Sequence, residues 1–118
     1  MKLAHINLVA RDADALAAFY MNVLKCEPLR EPRMLSGEKV SRGNGIENSE
    51  IYSIWLKFPA LDRPFLEIHE HKVMHDRGQP RVNEPGLGHL SFQMGDIRAV
   101  HSGRWKPDWR HHGLWDEG

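Results

Sequence analysis

Residues 51–58 and 65–72, which read IYSIWLKF and FLEIHEHK, alternate between apolar and polar side chains with a period of two. Successive side chains of a β-strand point to opposite faces, so this period predicts two strands of a half-buried sheet. The short connection PALDRP predicts a hairpin between them. Because the apolar set fixes which face is buried, the chain must build a sheet with one apolar and one polar face.

The first third of the chain adds a strand and a helix. Residues 3–10 (LAHINLVA) alternate in the same way and predict a strand. Residues 11–25 then carry apolar side chains at helical spacing, with Asp12 as the N-cap. A strand, a helix and a sheet hairpin in this order predict an α+β module whose helix covers the apolar face.

The stretch between helix and hairpin is more polar. Pro28 and Pro32 bracket a predicted short edge strand, because proline is tolerated at sheet edges. Residues 34–50 are polar and rich in glycine, and predict a loop that lies over a pocket. The expected order of the first module, residues 1–72, is therefore βαβββ.

The rest of the chain reads as a linker and a partial second module. Residues 73–88 are rich in proline and glycine and predict a linker. Residues 89–118 begin with HLSFQM, which alternates as a strand, and Asp96 predicts the N-cap of a following helix. After Pro107 the tail is irregular and carries several tryptophans, with no alternating segment.

Composition narrows the class of protein. The 16 basic and 16 acidic residues are interspersed and cancel, which argues against nucleic acid or an anionic membrane as partner. The single Cys26 excludes an internal disulfide and is expected to be a small buried hydrophobe in a reducing compartment. No apolar run is long enough for a signal peptide or a membrane span. These features predict a soluble, cytoplasmic protein.

Three candidate metal-ligating residues fall on the predicted polar face of the sheet: His5, Glu67 and His89. Each alone is more often a solvated or hydrogen-bonded side chain than a ligand, and His69 and His71 read as a solvated strand end or as support for a ligand. Together, two imidazoles and a carboxylate suit a divalent ion such as Zn, Ni, Co, Mn or Fe, if the sheet curves enough to bring them together.

The segments HINLVARDADALAAFYMNVL, FLEIHEH and GLGHLSFQMGDI, in this order, resemble the vicinal oxygen chelate superfamily. This superfamily contains glyoxalase I, methylmalonyl-CoA epimerase, extradiol dioxygenases and the bleomycin and fosfomycin resistance proteins, and pairs two βαβββ modules into an open cup. The resemblance implies that His5, Glu67 and His89 are metal ligands. We further expect Glu67 to alternate between ligand and catalytic base, a role that the resemblance does not imply by itself. The resemblance also implies a lyase or isomerase acting next to a carbonyl, with a pocket lined by Asn7, Trp55, Ser91 and Gln93.

The chain departs from this pattern after residue 100. The family's second module continues with a helix and three strands that carry a fourth ligand, and no residue here matches that ligand. Residues 102–118 can be encoded by codons that, when read one base later, specify a sequence with a glycine turn and a strand-like pattern. We therefore hypothesise that the tail is the frameshifted product of a longer gene. A single module forms only half of the family's cup, which leaves its polar face exposed and its sheet edges unpaired. This predicts a homodimer or higher homo-oligomer.

Two other functions remain open. A metal-free small-molecule binding protein of the bleomycin-resistance type would use an aromatic cup, although it would need none of the three ligand-type residues. A catalytically silent protein with an incomplete metal site would explain the missing fourth ligand. The fold does not choose between these functions, because one scaffold hosts many chemistries.

Overall fold

The computed structural model describes residues 1–95 and divides the chain into two units, Met1–Met74 and the part that begins at His75. All regular secondary structure of the described residues lies in the first unit. Its elements are β1 (His5–Val9), α1 (Ala13–Val23), β2 (Glu27–Pro28), β3 (Arg33–Ser36), α2 (Glu38–Asn44), β4 (Glu50–Lys57) and β5 (Phe65–His71).

The strands form one mixed sheet in the order β1-β5-β4-β2, and β3 pairs with β4 beside β2. β1 and β5 run parallel, whereas every pair that includes β4 is antiparallel. β2 and β3 together act as one interrupted edge strand. The first unit is therefore a βαβββ module with an additional short helix, and the expected α+β class is confirmed.

Helix α1 begins where two carboxylates accept its free amide groups. Asp12 is the N-cap, and its Oδ1 accepts a hydrogen bond from the Ala15 N–H at 3.0 Å. Glu70 of β5 reaches across, and its Oε1 accepts the Ala13 N–H at 2.8 Å. These bonds satisfy donors that the helix itself leaves unpaired, and they tie the start of α1 to the sheet.

The core lies between α1 and one face of the sheet. Leu56, Leu66 and Ile68 are completely buried, and burial of each such side chain contributes roughly 1.5–3 kcal/mol. Leu16, Ala17 and Tyr20 cover them from the helix. Cys26 is also buried, as expected for a small apolar side chain. The apolar face is thus closed by α1, and the residues of alternate register occupy the opposite face.

Two predictions for the first unit were wrong. The segment between Pro28 and Pro32 is not a strand; the strand residues lie at Pro28 and before it, and again from Arg33 onward. Residues 34–50 are not a simple loop, because they contain the end of β3 and all of α2. Helix α2 has no buried residue, so no apolar stripe marks it in the sequence.

The second unit contradicts one further prediction. Residues 89–94 form no strand, and the apolar Phe92 and Met94 are exposed. Alternation gives a strand only where a neighbouring strand accepts its backbone hydrogen bonds, and none pairs with this segment among residues 1–95. The helix expected after Asp96 and the tryptophan-rich tail lie outside the described residues. No helix within residues 1–95 has the length and apolar character needed to cross a membrane.

Candidate functional site on the polar face of the sheet

Glu67 occupies the centre of the polar face, on β5 between β1 and β4. Its register partners are Asn7 on β1 and Trp55 on β4. The Asn7 amide donates to Glu67 Oε1 at 3.2 Å, and the Trp55 indole N–H donates to Oε2 at 3.0 Å. The Glu67 side chain is only 14% exposed. Both carboxylate oxygens are therefore held in place by residues of the flanking strands.

Two imidazoles approach the same carboxylate oxygen. His5 Nε2 lies 3.7 Å and His69 Nε2 lies 3.5 Å from Glu67 Oε1. His5 faces Phe65, two positions before Glu67, while His69 follows two positions after it. The imidazoles therefore reach the carboxylate from opposite ends along β5, since side chains on one face of a strand repeat every second residue.

His69 is the more deeply placed of the two histidines. Its side chain is 15% exposed, against 44% for His5. The Nε2 atom is buried and, despite its distance from Glu67, satisfies the geometry of no hydrogen bond within the described residues. Burial lowers the pKa of His69, and the neighbouring Glu67 carboxylate opposes this shift in part. The neutral imidazole, which can donate a lone pair, is thus the favoured form.

A row of flat side chains crosses the sheet beside Glu67. The His5 and Phe65 rings have centroids 5.1 Å apart, and the Phe65 and Trp55 rings 4.5 Å apart. The row ends with the Arg30 guanidinium, whose Cζ lies 3.4 Å from the Trp55 ring centroid. We call the side chains of His5, Phe65, Trp55 and Arg30 the aromatic row. Its three rings form an apolar surface, and the guanidinium of Arg30 places a charge at one end.

The donors His5 Nε2 and Glu67 Oε1 suit a divalent metal ion. Two donors that each lie about 2.1 Å from one ion stand roughly 3–4 Å apart, and the observed 3.7 Å falls within that range. An imidazole and a carboxylate are ligands of Zn, Ni, Co, Mn and Fe alike. Within residues 1–95, however, no group of three or more histidine, cysteine, aspartate or glutamate side chains is arranged to hold one ion.

The structure brings together only part of the predicted site. His5 and Glu67 lie side by side, and Asn7 and Trp55 both contact the Glu67 carboxylate. The other three predicted site residues belong to the second unit, where they are exposed on an irregular segment: His89, Ser91 and Gln93. The strand that was expected to orient these three side chains is absent there, so their orientation toward a common face no longer follows from alternation.

Two residues of this face were not among the predicted site residues. His69 was expected on the same strand face as Glu67, either at a solvated strand end or as support for a ligand, and the structure places its side chain beside the Glu67 carboxylate. Arg30 had no signal in the sequence, because it lies between β2 and β3 where no periodicity places its side chain. The Leu29 N–H donates to the Trp55 carbonyl at 2.9 Å, and this bond brings the segment onto the indole.

The comparisons with known proteins bear on the fold. No protein-family model and no curated protein matches the sequence. The structure is similar to that of a glyoxalase family protein from Bacillus cereus, with a TM-score of 0.75 and 16% identity over 86% of this chain and 68% of that chain. This likeness confirms the predicted fold: the chain has a glyoxalase-like fold.

Two structures of the fosfomycin resistance protein FosX from Listeria monocytogenes are more distant. A mutant complexed with Mn(II) and 1S,2S-dihydroxypropylphosphonic acid has a TM-score of 0.47 and 19% identity, over 84% of this chain and 61% of that chain. A monoclinic form at pH 5.75 has a TM-score of 0.45 and 20% identity, over 84% of this chain and 62% of that chain. The chain thus spans less than two thirds of either FosX chain.

Proposed function

We propose that the protein is a glyoxalase-like, metal-dependent lyase or isomerase that acts on a small carbonyl-containing substrate, of the lactoylglutathione lyase or epimerase type. The supporting observation is the contact between His5 and Glu67, which come from distant parts of the chain and present a nitrogen and an oxygen donor 3.7 Å apart. In this proposal His89 is the third ligand of one divalent ion (Zn, Ni, Co, Mn or Fe).

A divalent ion bound there would act as a Lewis acid that polarises the substrate carbonyl and stabilises the enolate oxygen. Asn7 and Trp55 hold the two oxygens of Glu67 and so fix the direction of the carboxylate. Glu67 removes the proton from the carbon next to the carbonyl and returns it, as a general base and then acid. Phe65 and Trp55 form an apolar surface beside Glu67 on which the carbon skeleton of the substrate would rest.

Metal titration of the full chain after chelator treatment tests the proposal. We expect the unsubstituted protein to bind one divalent ion per chain. His5→Ala, Glu67→Gln and His89→Ala should each weaken binding at least about ten-fold, since loss even of a supporting residue costs that much. His75→Ala is the matched control, because His75 is exposed and is no part of the proposed ligand set.

The pattern across the variants decides the proposal. Equal metal affinity in Glu67→Gln and in the unsubstituted protein would refute Glu67 as a ligand. Loss of affinity in His5→Ala and Glu67→Gln, but not in His89→Ala, would place the ion on the first unit and remove His89 from the set. A fall in His75→Ala as large as in His5→Ala would show nonspecific binding by surface histidines.

The aromatic row favours a second candidate, a metal-free small-molecule binding protein of the bleomycin-resistance type. Stacked rings such as Phe65 and Trp55 bind flat organic ligands without any ion. The same titration separates the two functions: no metal uptake by the unsubstituted protein, at concentrations well above those in cells, would favour the binding protein over the enzyme.

We also propose a homodimer or higher homo-oligomer in the cytoplasm. β1 is an edge of the sheet among the described residues, and its Val9 is 56% exposed. Such an edge offers unpaired backbone groups to a second chain. The buried, unpaired thiol of Cys26 fits a reducing compartment.

A further inference from the structure

Arg30 is held against the polar face in an orientation that favours anion recognition. Its guanidinium stacks on the Trp55 ring, with Cζ 3.4 Å from the ring centroid. Stacking occupies one face of the guanidinium and leaves the in-plane N–H donors of its two Nη atoms available for hydrogen bonds. An arginine placed in this way presents a rigid fork that matches the two oxygens of a carboxylate or phosphonate.

No carboxylate of residues 1–95 forms an ion pair with Arg30 or Arg33 within 4 Å. The Arg30 Nε is buried without a hydrogen-bond partner among the same residues. Burial lowers the pKa of Arg30, the charge of Arg33 lowers it further, and the Glu67 carboxylate opposes this shift in part. Because the Arg30 guanidinium has no ion-pair partner among the described residues, an anion bound to it would lower the electrostatic free energy.

The position of this pair relates it to Glu67. The indole that supports Arg30 on its face donates its N–H to Glu67 Oε2 at 3.0 Å. Arg33 on β3 is the register partner of Ser53, which belongs to the same sheet face as Trp55. A small molecule that contacts Arg30 with one end and lies along the Trp55 ring can therefore reach Glu67 with its other end.

We propose that Arg30, stacked on Trp55 and assisted by Arg33, is an anion subsite that binds a carboxylate, phosphate or phosphonate group of the substrate. This inference rests on the proposed function, and narrows its substrate to small carbonyl compounds that carry such a group. The subsite fixes the charged end, and the carbonyl end reaches the Glu67 carboxylate. The role of Arg30 is binding and orientation, with no part in bond breaking.

The experiment is a titration of the full chain, without added metal, followed by two-dimensional nitrogen–proton NMR. The probes are propionate, methylphosphonate and the neutral propionamide, which has the size of propionate but no charge. The reporters are the Arg30 Nε–H and the Trp55 indole N–H, the latter assigned by its loss in Trp55→Phe. We expect saturable shifts of both signals with at least one anion, and binding of propionamide weaker by about ten-fold or more.

Substitutions then assign the binding to Arg30. Arg30→Gln should weaken anion binding about ten-fold or more, and Arg30→Lys should weaken it less, because lysine keeps the charge but loses the planar fork. Arg42→Gln is the matched control, since Arg42 is exposed on α2 and pairs with Glu38. The probe that binds more tightly tells whether a carboxylate or a phosphonate is preferred.

Three results would overturn the anion subsite: no saturable shift with either anion, binding of propionamide equal to that of propionate, or unchanged anion binding in Arg30→Gln. Metal titration of Arg30→Gln keeps this test separate from the proposed function. If Arg30→Gln and the unsubstituted protein bind metal equally but neither binds an anion, the subsite is wrong and the metal site stands. If anions bind through Arg30 but no metal binds, the subsite stands and the metal-dependent function fails.

Discussion

The Asn7 amide donates both to the Glu67 side chain, at 3.2 Å, and to the Glu67 backbone carbonyl, at 3.3 Å. One side chain thus secures a carboxylate and the strand that carries it, across the parallel pair β1 and β5. A register shift of one residue between these strands would turn Glu67 into the apolar core. The geometry of the candidate site and the register of the sheet are therefore fixed by the same contact.

Loss of the Trp55 indole N–H should reduce metal affinity without unfolding the protein. Trp55→Phe keeps an aromatic ring but leaves Glu67 Oε2 without its donor at 3.0 Å, so we expect an affinity for the divalent ion about ten-fold lower. Tyr52→Phe is the control, because it removes a hydroxyl that donates to Asp14 on the opposite face. It should lower the free energy of unfolding by about 1 kcal/mol and leave metal affinity unchanged. An equal loss of affinity in both variants would contradict the role of Trp55.

Leu66→Ala should be severely destabilising. Leu66 is completely buried between α1 and the sheet, and truncation in such a place costs about 2–5 kcal/mol. Leu61→Ala, at a turn position that is 48% exposed, should change the free energy of unfolding by less than about 0.5 kcal/mol. Urea unfolding followed by circular dichroism measures both. Similar urea midpoints for the two variants would show that Leu66 is not part of the core.

Glu70→Ala should weaken the start of α1. Glu70 Oε1 accepts the Ala13 N–H at 2.8 Å, and loss of a cap of this kind costs about 1 kcal/mol. Glu50→Ala removes a carboxylate of the neighbouring strand that pairs with the exposed Lys72, and exposed pairs contribute little. We therefore expect a lower unfolding midpoint in Glu70→Ala only. Amide hydrogen exchange at Ala13 and Ala15 should also increase in that variant, and unchanged exchange would argue against the cap.

The Cys26 thiol should resist alkylation by iodoacetamide at pH 8. It is only 4% exposed, and burial raises its pKa from 9.0 to about 11, so little thiolate is present. Denaturant should accelerate the reaction strongly. Because the folded pKa is the higher one, the unfolded chain releases this proton first, and the contribution of Cys26 to stability is complete below pH 9 and lost as the pH rises to about 11. The difference in unfolding free energy between the unsubstituted protein and Cys26→Ala should change across this range.

Light scattering should give at least the mass of two chains of 13.6 kDa. Val9→Lys places a charge on the exposed edge strand β1 and should shift the protein toward the monomer, since charged residues protect sheet edges from pairing. Val82→Lys, at a fully exposed position of the second unit, should leave the mass unchanged. A monodisperse monomer for the unsubstituted protein would refute the oligomer.

The elements with strong periodicity were predictable from sequence. β1 and β5 place their less exposed residues at alternate positions, β4 does so in part, and α1 follows an N-cap aspartate, so the β-α and β-hairpin parts agree with the structure. Alternation also placed His5 and Glu67 on one face. It could not give the distance between them, because that depends on which strands are neighbours.

The remaining elements lack a local signal. Gly37 and Gly45 read as loop residues, yet they flank α2, and Gly45 ends the helix in the left-handed conformation with φ of 74°. The glycines therefore marked the ends of a helix that buries no side chain. Residues 89–94 show the opposite case: their alternation is clear, but a strand needs a partner, and sequence alone does not supply one.

β5 is the last strand of the first unit to leave the ribosome, yet it occupies an inner place in the sheet, between β1 and β4. Before β5 has been synthesised, β1 has no strand to pair with among the described residues. Asn7 and its hydrogen-bond partner Glu67 are 60 positions apart in the sequence. The candidate site is therefore complete only when β5 occupies its place between β1 and β4. A nascent chain that ended within β4 would lack Glu67 and His69 together with the buried Leu66 and Ile68, so the candidate site and the sheet side of the core both depend on the same late segment.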